Sequence, residues 1–226
     1  EATLASTGFG DLTISSLSTS DYRALPELME ELIPYCTAHR VNLAVPSLRA
    51  DNFSRELMEK LKTLRRSGLT FAPEAGSQRL RDVINKNLTE EEILSTCALA
   101  FSGGWNGVKL YFMLGLPTET DEDVLGIADL AARVMHAWRE SASNKQRGVR
   151  ITVSTSWFVP KPHTAFQWEP QISKEEYQRR VKLLREAITT KTVTYNWHDP
   201  DTSFLEAVLA RGDRRMCKVL EAAWRK

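Results

Sequence analysis

Apolar, β-branched runs alternate with amphipathic runs along most of the chain, in a regular order. The apolar runs predict strands at residues 11–18, 41–48, 69–74, 108–114, 149–159 and 193–197. Segments with apolar residues three or four positions apart lie between them and predict helices. Strands that alternate with helices are typical of βα units and of a parallel sheet. The pattern therefore predicts an α/β fold of about six βα units.

Capping residues indicate where several of these helices begin. Ser20 or Asp21 is expected to cap an early helix. The run that starts at Thr89 has the Thr-Glu-Glu-Glu pattern of a capping box. Thr120 or Asp121 precedes a long amphipathic segment that reaches about residue 140. These positions divide the chain into the units that the hydrophobic pattern suggests.

The strand sequences show no strict alternation of apolar and polar residues, which fits strands covered on both faces by helices and a barrel interior. A complete βα barrel has eight strands and about 250 residues. The 226-residue chain therefore predicts a partial TIM-like (β/α)6 barrel of parallel strands, with at least one strand missing at the front. We assign residues 1–191 to this barrel and residues 192–226 to a C-terminal strand and helical extension.

Charge and composition exclude several classes of protein. Lys and Arg number 30 against 29 Asp and Glu, so the net charge of +1 creates no overall attraction to nucleic acids or membranes. No apolar stretch approaches the roughly 20 residues that span a bilayer. The first eight residues, which open on Glu1 rather than Met, resemble the tail of a helix rather than a signal peptide, so we expect the natural chain to start earlier. Free cysteines without a secretory signal lead us to expect a cytoplasmic protein.

The three cysteines, Cys36, Cys97 and Cys217, lie far apart in apolar, helix-like segments. No pair has the short spacing that metal sites use. We expect each to be a buried small apolar residue, and we predict no metal site made by this chain alone. The four histidines also lack ligand spacing, although His163, in a loop after a predicted strand, is either a substrate contact or an exposed loop residue.

Ligands of βα folds lie at the carboxyl ends of the strands. The segments that follow the predicted strands contain small hydroxyls, glycines, prolines and a carboxylate, in the runs 15–21, 46–51, 73–77, 115–120 and 159–164. Such a rim suits a polar ligand with an apolar body. Residues 119 and 120 are expected to start a helix rather than to bind.

Several of these motifs carry a resemblance to a known family. The run Pro73-Glu-Ala-Gly-Ser77, followed by Asn-Lys-x-Leu-Thr-Glu-Glu and by Lys109-Leu-Tyr-Phe-Met-Leu-Gly-Leu-Pro-Thr-Glu-Thr120, resembles radical S-adenosylmethionine (SAM) enzymes of the methylthiotransferase-like branch. The segments 16–22, 158–168 and 197–215 resemble an uncharacterised subfamily that is often fused to a cobalamin-binding-like domain. The resemblance covers nearly the whole chain and implies that residues 1–191 are a radical SAM core.

The resemblance implies roles for the residues at the strand ends. Ser16 and Ser18 map to the position that meets the methionine amino group of SAM, although the Gly-Gly-Glu often found there is absent. Glu74 and Ser77 map to the ribose-binding motif, where a carboxylate accepts from the two hydroxyls. Lys109 lies where relatives carry a cation, which would pair with the methionine carboxylate.

The adenine contacts implied by the resemblance are Met113 and the backbone at Phe158 and Val159. The residues themselves leave alternatives open. Glu74 could instead cap the short helix that follows it. Lys109 could lie at the bottom rim of the barrel with its charge in water, and Met113 could be ordinary core.

Radical SAM chemistry uses a [4Fe–4S] cluster held by a C-x-x-x-C-x-x-C loop after the first strand. The chain contains no such loop, so the resemblance places the cluster ligands before Glu1. We expect the full-length protein to form a 5′-deoxyadenosyl radical with an electron from a reductant such as flavodoxin or ferredoxin. The 226-residue chain alone is expected to be inactive.

Two other functions remain open at this point. The barrel could be a binding module for RNA or protein that has lost the cluster and its catalysis. It could also be an ordinary TIM-barrel enzyme that uses a carboxylate with Lys109, but no phosphate-binding glycine loop or acid–base pair in the sequence supports that interpretation. The substrate is not indicated by any motif.

Overall fold

The computed structural model describes residues 2–14, 22–44, 69–146 and 148–226. The predicted contacts of Ser16 and Ser18, and the predicted helix at 54–66, lie outside these residues. The helices and strands in chain order are α1 (Ala2–Thr7), β1 (Asp11–Thr13), α2 (Leu25–Ala38), β2 (Asn42–Ala44), β3 (Leu69–Glu74), α3 (Gln78–Val83), α4 (Glu90–Ser102), β4 (Gly107–Leu114), α5 (Asp121–Ser141), β5 (Arg150–Trp157), α6 (Lys174–Ala187), β6 (Val193–Trp197), α7 (Pro200–Arg211) and α8 (Met216–Trp224).

All strand pairs in the described part of the chain are parallel. β1 pairs with β2, and β3, β4, β5 and β6 form a four-stranded sheet in that order. A helix follows most of the strands, as a parallel crossover requires. The predicted α/β fold of parallel strands is confirmed, whereas the division at residues 191 and 192 stays a prediction.

Side-chain caps mark two of the predicted helix starts, and a third helix starts later than predicted. Thr89 and Thr120 each accept a backbone N–H from the third helical residue, and the acidic residue there accepts in return. The predicted capping box at Thr89 is therefore confirmed, and Thr120, one of two predicted caps, forms a second capping box. α2 instead begins at Leu25, after Ala24, which makes no side-chain cap. This helix therefore starts about five residues later than predicted, and the predicted caps at 20 and 21 lie outside the described residues. A proline in the first turn helps this helix to start, since its ring fixes the backbone for a helix.

One face of the sheet is covered by helices. On β4, Val108, Leu110, Phe112 and Leu114 are buried and alternate with half-buried residues. These four side chains join one apolar cluster with residues of α4, α5 and α6. The expected helix cover is present on one face of β4, where the buried residues lie, whereas the half-buried residues lie on the other face. The expected cover of that second face by a barrel interior stays a prediction.

The other face carries polar side chains. We call it the polar face and define it by six residues in two rows across β4, β5 and β6, namely Lys109, Thr152, Thr194 and Tyr111, Ser154, Asn196. Residues aligned in a parallel register lie on the same side of a sheet, so each row forms a line across three strands. None of the six belongs to the helix-covered core.

The C-terminal helices contribute little to that core. Only Ser203 and Ala207 of α7 are buried, and no residue of α8 is. Gly212 is the C-cap of α7 and separates it from α8. Among the described helices, none is both long and apolar enough to cross a membrane.

Candidate functional site

The carboxyl ends of β3, β4 and β5 meet at one edge of the sheet, and the loops that follow them form a small apolar cluster. Ala75, Leu80, Leu116 and Phe158 are buried there, and Met113 packs against them. Two predicted adenine contacts, Met113 and Phe158, therefore lie in one cluster. Val159 follows directly and is also buried, with 8% of its surface exposed. The edge offers an apolar wall beside the polar groups described below.

Glu74 is the last residue of β3 and has an unusual backbone conformation. Its φ is 70°, a left-handed value that is uncommon for a residue with a side chain. The register between β3 and β4 shifts between Phe71 and Glu74, which accompanies this conformation. Glu74 Oε1 lies 3.2 Å from Lys86 Nζ, and about a quarter of its side chain is exposed. A partly accessible carboxylate is thus held at the edge of the sheet.

Ser77, rather than Glu74, caps the short helix α3. Its hydroxyl accepts a hydrogen bond of 3.1 Å from the backbone N–H of Leu80 and donates to the Asp123 carboxylate. The interpretation of Glu74 as the cap is therefore wrong. The predicted ribose contacts of Glu74 and Ser77 stay predictions, and Ser77 would have to serve the ligand while it also caps the helix.

Arg81 fixes the loop between these two residues. Its side chain is fully buried, and Nη1 donates to the carbonyls of Ala75 at 3.0 Å and Gly76 at 3.3 Å. Nε donates to the Leu88 carbonyl at 3.1 Å, and Nη2 donates to Gln78 Oε1 at 3.1 Å. Buried carbonyls need such donors, so the guanidinium determines the path of the loop after β3.

Gly76 brings the same loop into direct contact with α5. A Cβ atom at this position would lie 2.3 Å from the Asp123 carbonyl oxygen and 2.5 Å from the Ile127 nitrogen, both backbone atoms. Gly126 of α5 faces this contact, since a Cβ there would lie 3.2 Å from Gly76. The backbones approach closely only because neither residue has a side chain.

Asp123 links the loops after β3 and β4. Its carboxylate is buried, accepts from Arg79 and Ser77, and also accepts from the backbone N–H of Thr120 at 2.8 Å. Burial alone raises the pKa of Asp123, but the hydrogen bonds from Arg79, Ser77 and Thr120 outweigh it and lower that pKa to about 2. Arg79 also donates to the Thr118 carbonyl at 2.8 Å. The two loops are therefore tied together by a charged group.

Glu119 has a similar role between the loop after β4 and the helix α6. Its carboxylate accepts the backbone N–H of Gly115 at 2.7 Å and forms an ion pair with Arg180 of α6, with only 1% of its side chain exposed. Burial raises the pKa of Glu119 to about 7, against the opposing effects of the Gly115 N–H and Arg180. Gly115 has a φ of 90°, which glycine adopts at no steric cost. The pair fixes the turn after β4 against α6.

Lys109 lies away from this edge. It is the third residue of β4, so about 13 Å of strand separates its Cα from that of Met113. Its Nζ lies 4.4 Å from the centroid of the Tyr111 ring, which points the ammonium along the polar face. The structure therefore does not bring Lys109 to the group formed by Glu74, Met113 and Phe158. Its predicted pairing with the methionine carboxylate stays a prediction.

The cysteines do not form a metal site in the described part of the chain. Cys36 and Cys97 are fully buried, and burial raises the pKa of Cys97 to about 12. Cys217 is exposed, so the expectation that it is buried is wrong. No group of three His, Cys, Asp or Glu side chains among the described residues could hold a metal ion. These residues do not fit an iron–sulfur cluster.

The sequence interpretation missed the charged residues that build the edge, namely Arg81, Glu119, Asp123 and Arg180. Asp123 could have been found, because it occupies the acidic position of the capping box that begins at Thr120. Nothing in the sequence marks Glu119 and Arg180 as partners, since they are 61 residues apart.

Comparison with known proteins identifies the family. Residues 2–131 match the Radical SAM superfamily. The chain belongs to the radical SAM superfamily. It is also 33% identical over 205 residues to the uncharacterised protein MJ0966 of Methanocaldococcus jannaschii, an alignment that covers 90% of the chain and 42% of that protein. The chain thus spans less than half of this relative.

Two solved structures share the fold. The radical SAM methyltransferase TsrM of Kitasatospora setae, with cobalamin and a [4Fe–4S] cluster bound, has a TM-score of 0.51 and 17% identity, with coverage of 68% of this chain and 29% of that one. Elp3 of the archaeon Methanocaldococcus infernus, with an N-terminal deletion, has a TM-score of 0.58 and 12% identity, with coverage of 93% and 57%. These structures show an α/β fold of parallel strands that is consistent with a partial TIM-like barrel. The match to the Radical SAM superfamily does not favour the alternative of a non-catalytic module.

Proposed function

We propose that this chain is the SAM-binding portion of a radical SAM enzyme. The match of residues 2–131 to the superfamily carries the proposal. The edge where β3, β4 and β5 end supports it, because a partly accessible carboxylate lies at the same edge as a small apolar cluster. SAM requires both kinds of surface, since its ribose diol donates hydrogen bonds and its adenine is flat and apolar.

In this proposal, different residues of the edge contact different parts of SAM. Glu74 accepts from the ribose hydroxyls, and Ser77 assists. Met113 and the backbone at Phe158 and Val159 contact adenine. Arg81 holds the loop that carries the ribose contacts and excludes water beneath it, because its side chain is fully buried. Ser16 and Ser18 complete the methionine end.

The cluster belongs to the longer protein in our proposal, with cysteine ligands that precede Glu1. The bound cluster would supply one electron for reductive cleavage of the C5′–S bond of SAM, which would give methionine and a 5′-deoxyadenosyl radical able to take a hydrogen atom from a substrate. A flavodoxin or ferredoxin would reduce it. The described residues of this chain bind and orient SAM but do not hold the cluster.

The motifs also suggest a finer placement within the superfamily. Residues 73–77 and 109–120 support the methylthiotransferase-like branch, and the C-terminal motifs support the subfamily that is often fused to a cobalamin-binding-like domain. TsrM shares the fold and has cobalamin bound. We therefore propose such a domain as a partner within the full-length protein.

The test uses the full-length protein, reconstituted with its cluster under anaerobic conditions. Glu74→Ala should weaken SAM binding by at least about tenfold, the loss expected when hydrogen bonds to a charged group are removed. Calorimetric titration with SAM measures the affinity, and chromatography measures 5′-deoxyadenosine after reduction.

Lys86→Met is the matched control. It removes the ion-pair partner of Glu74 and leaves the carboxylate in place, so SAM affinity should change little. Unchanged affinity in Glu74→Ala would remove Glu74 from the ribose role. A cluster-loaded wild type that neither binds SAM nor forms 5′-deoxyadenosine would contradict the proposed function as a whole.

A further inference from the structure

The side chains of the polar face and of the helix-covered face differ in their hydrogen-bond partners. On the helix-covered side, Thr155 and Tyr195 share a hydrogen bond of 2.9 Å, and the Tyr177 hydroxyl donates to the His198 carbonyl at 3.0 Å. On the polar face, the side chains of Tyr111, Ser154 and Asn196 form no hydrogen bond to another described residue.

The Ser154 hydroxyl remains accessible, although the residue as a whole is only 5% exposed. Among the described residues, the buried side-chain atoms without a hydrogen-bond partner are Trp138 Nε1, Trp157 Nε1 and Gln171 Nε2. The Ser154 hydroxyl is therefore open to a ligand rather than sealed in the core. Ser154 aligns with Tyr111 on one side and Asn196 on the other. The row therefore presents a hydroxyl, a phenol and an amide side by side, all directed away from the core.

The neighbouring row adds a cation. Lys109 aligns with Thr152, which aligns with Thr194. Among the described residues, no carboxylate forms an ion pair with Lys109, and its contact is the Tyr111 ring. All six side chains can donate hydrogen bonds, and the defined face carries no carboxylate. An anionic or neutral polar ligand would fit this face, whereas a hydrocarbon would leave its donors unpaired.

We propose that the polar face binds the substrate, and that the substrate is a small molecule rich in hydroxyl or amide groups with one anionic group directed at Lys109. The inference deepens the proposed function, because it is this face that runs from the SAM-binding edge into the sheet. Tyr111, Ser154 and Asn196 bind its polar body. Their position below Met113 holds the substrate on the same face as the cofactor.

Four six-carbon probes separate the two chemical requirements. D-gluconate is hydroxylated and anionic, D-glucitol is hydroxylated and neutral, hexanoate is anionic without hydroxyls, and hexan-1-ol has neither the charge nor the row of hydroxyls. Each is titrated by ligand-observed NMR into the full-length, cluster-loaded protein with SAM present. We expect the affinity order gluconate, glucitol, hexanoate, hexan-1-ol. An order led by hexan-1-ol or hexanoate would overturn the proposal, and gluconate no better than glucitol would overturn its anionic part.

Variants locate the binding. Ser154→Ala and Asn196→Leu should each weaken gluconate and glucitol by about three- to tenfold, the effect of one neutral hydrogen bond. Lys109→Met should reduce gluconate to the affinity of glucitol. Thr155→Val is the matched control, because Thr155 follows Ser154 in the same strand and lies on the opposite face. Probe affinities unaffected by the polar-face variants would contradict the inference.

The SAM affinity of the same samples separates this inference from the proposed function. If wild type fails to bind SAM, the proposed function fails, and the probe order still tests the face by itself. If Ser154→Ala or Asn196→Leu lowers SAM affinity and leaves the probes unchanged, the face belongs to the cofactor and the inference is wrong. Unchanged SAM affinity with weakened gluconate supports a substrate surface.

Discussion

The loops after β3 and β4 and the helices α7 and α8 represent opposite extremes of the molecule. The loops are held by the buried charges Arg81 of α3, Glu119 and Asp123 of α5, each with several partners. In α8 no residue is buried, and Leu220 and Trp224 are 51% and 85% exposed. Specific interactions are thus concentrated where ligands of a βα fold bind, because a site needs fixed geometry and an outer helix does not.

Gly76→Ala should produce the largest loss of stability, because it separates the loop after β3 from α5. The added Cβ would lie within 2.5 Å of two backbone atoms of α5, so the helix or the loop must move. We expect a loss of about 3 kcal/mol in the free energy of unfolding. Urea denaturation of the 226-residue chain measures it.

Gly10→Ala is the control for this change, since a Cβ at Gly10 meets no atom within 4 Å. It should alter stability by less than about 0.5 kcal/mol. Equal losses of unfolding free energy in the two variants would show that the close backbone contact at Gly76 is not what makes the substitution destabilising.

The buried Glu119–Arg180 pair should make the stability of the protein depend on pH. Burial raises the pKa of Glu119 from 4.5 to about 7, so the folded state binds a proton that the unfolded state releases between these values. Stability from this group is fully present below pH 4.5 and is lost as pH rises to about 7, by about 2–3 kcal/mol. The lowered pKa of Asp123, about 2, affects stability only at pH values below this range.

Denaturation midpoints between pH 4.5 and 7.5 measure this dependence, and Glu119→Gln should flatten it because glutamine does not titrate. Stability that rises through this range in wild type, or an unchanged slope in Glu119→Gln, would show that the buried carboxylate keeps its charge throughout.

The smallest effect is expected in the terminal helix. Leu220→Ser replaces a half-exposed apolar side chain in α8 and should change stability by less than about 0.5 kcal/mol. Leu80→Ser, at a fully buried leucine of the apolar cluster, is the matched control and should cost several times more. A loss above about 1 kcal/mol for Leu220→Ser would mean that α8 contributes to the core after all.

Much of the fold could be predicted from the sequence because it depends on local patterns. The strand at 69–74 and the capping boxes at Thr89 and Thr120 follow from hydrophobic runs and from residue types three positions apart. The alternation along β4 was missed, since Lys109 and Tyr111 were interpreted within a nearly continuous apolar run. Lys109 and Tyr111 differ from Leu110 only because the helices pack on the face where Leu110 lies.

The sequence by itself determined the order of βα units, the helix caps and the motifs by which the chain resembles radical SAM enzymes. Tertiary structure alone decided that Glu119 meets Arg180, that Asp123 joins two loops, and that Ser154 lies between Tyr111 and Asn196. Caps and hydrophobic periods act over a few residues, so they can be read along the chain. Buried ion pairs and rows across strands join residues 40 or more positions apart, so only packing brings them together.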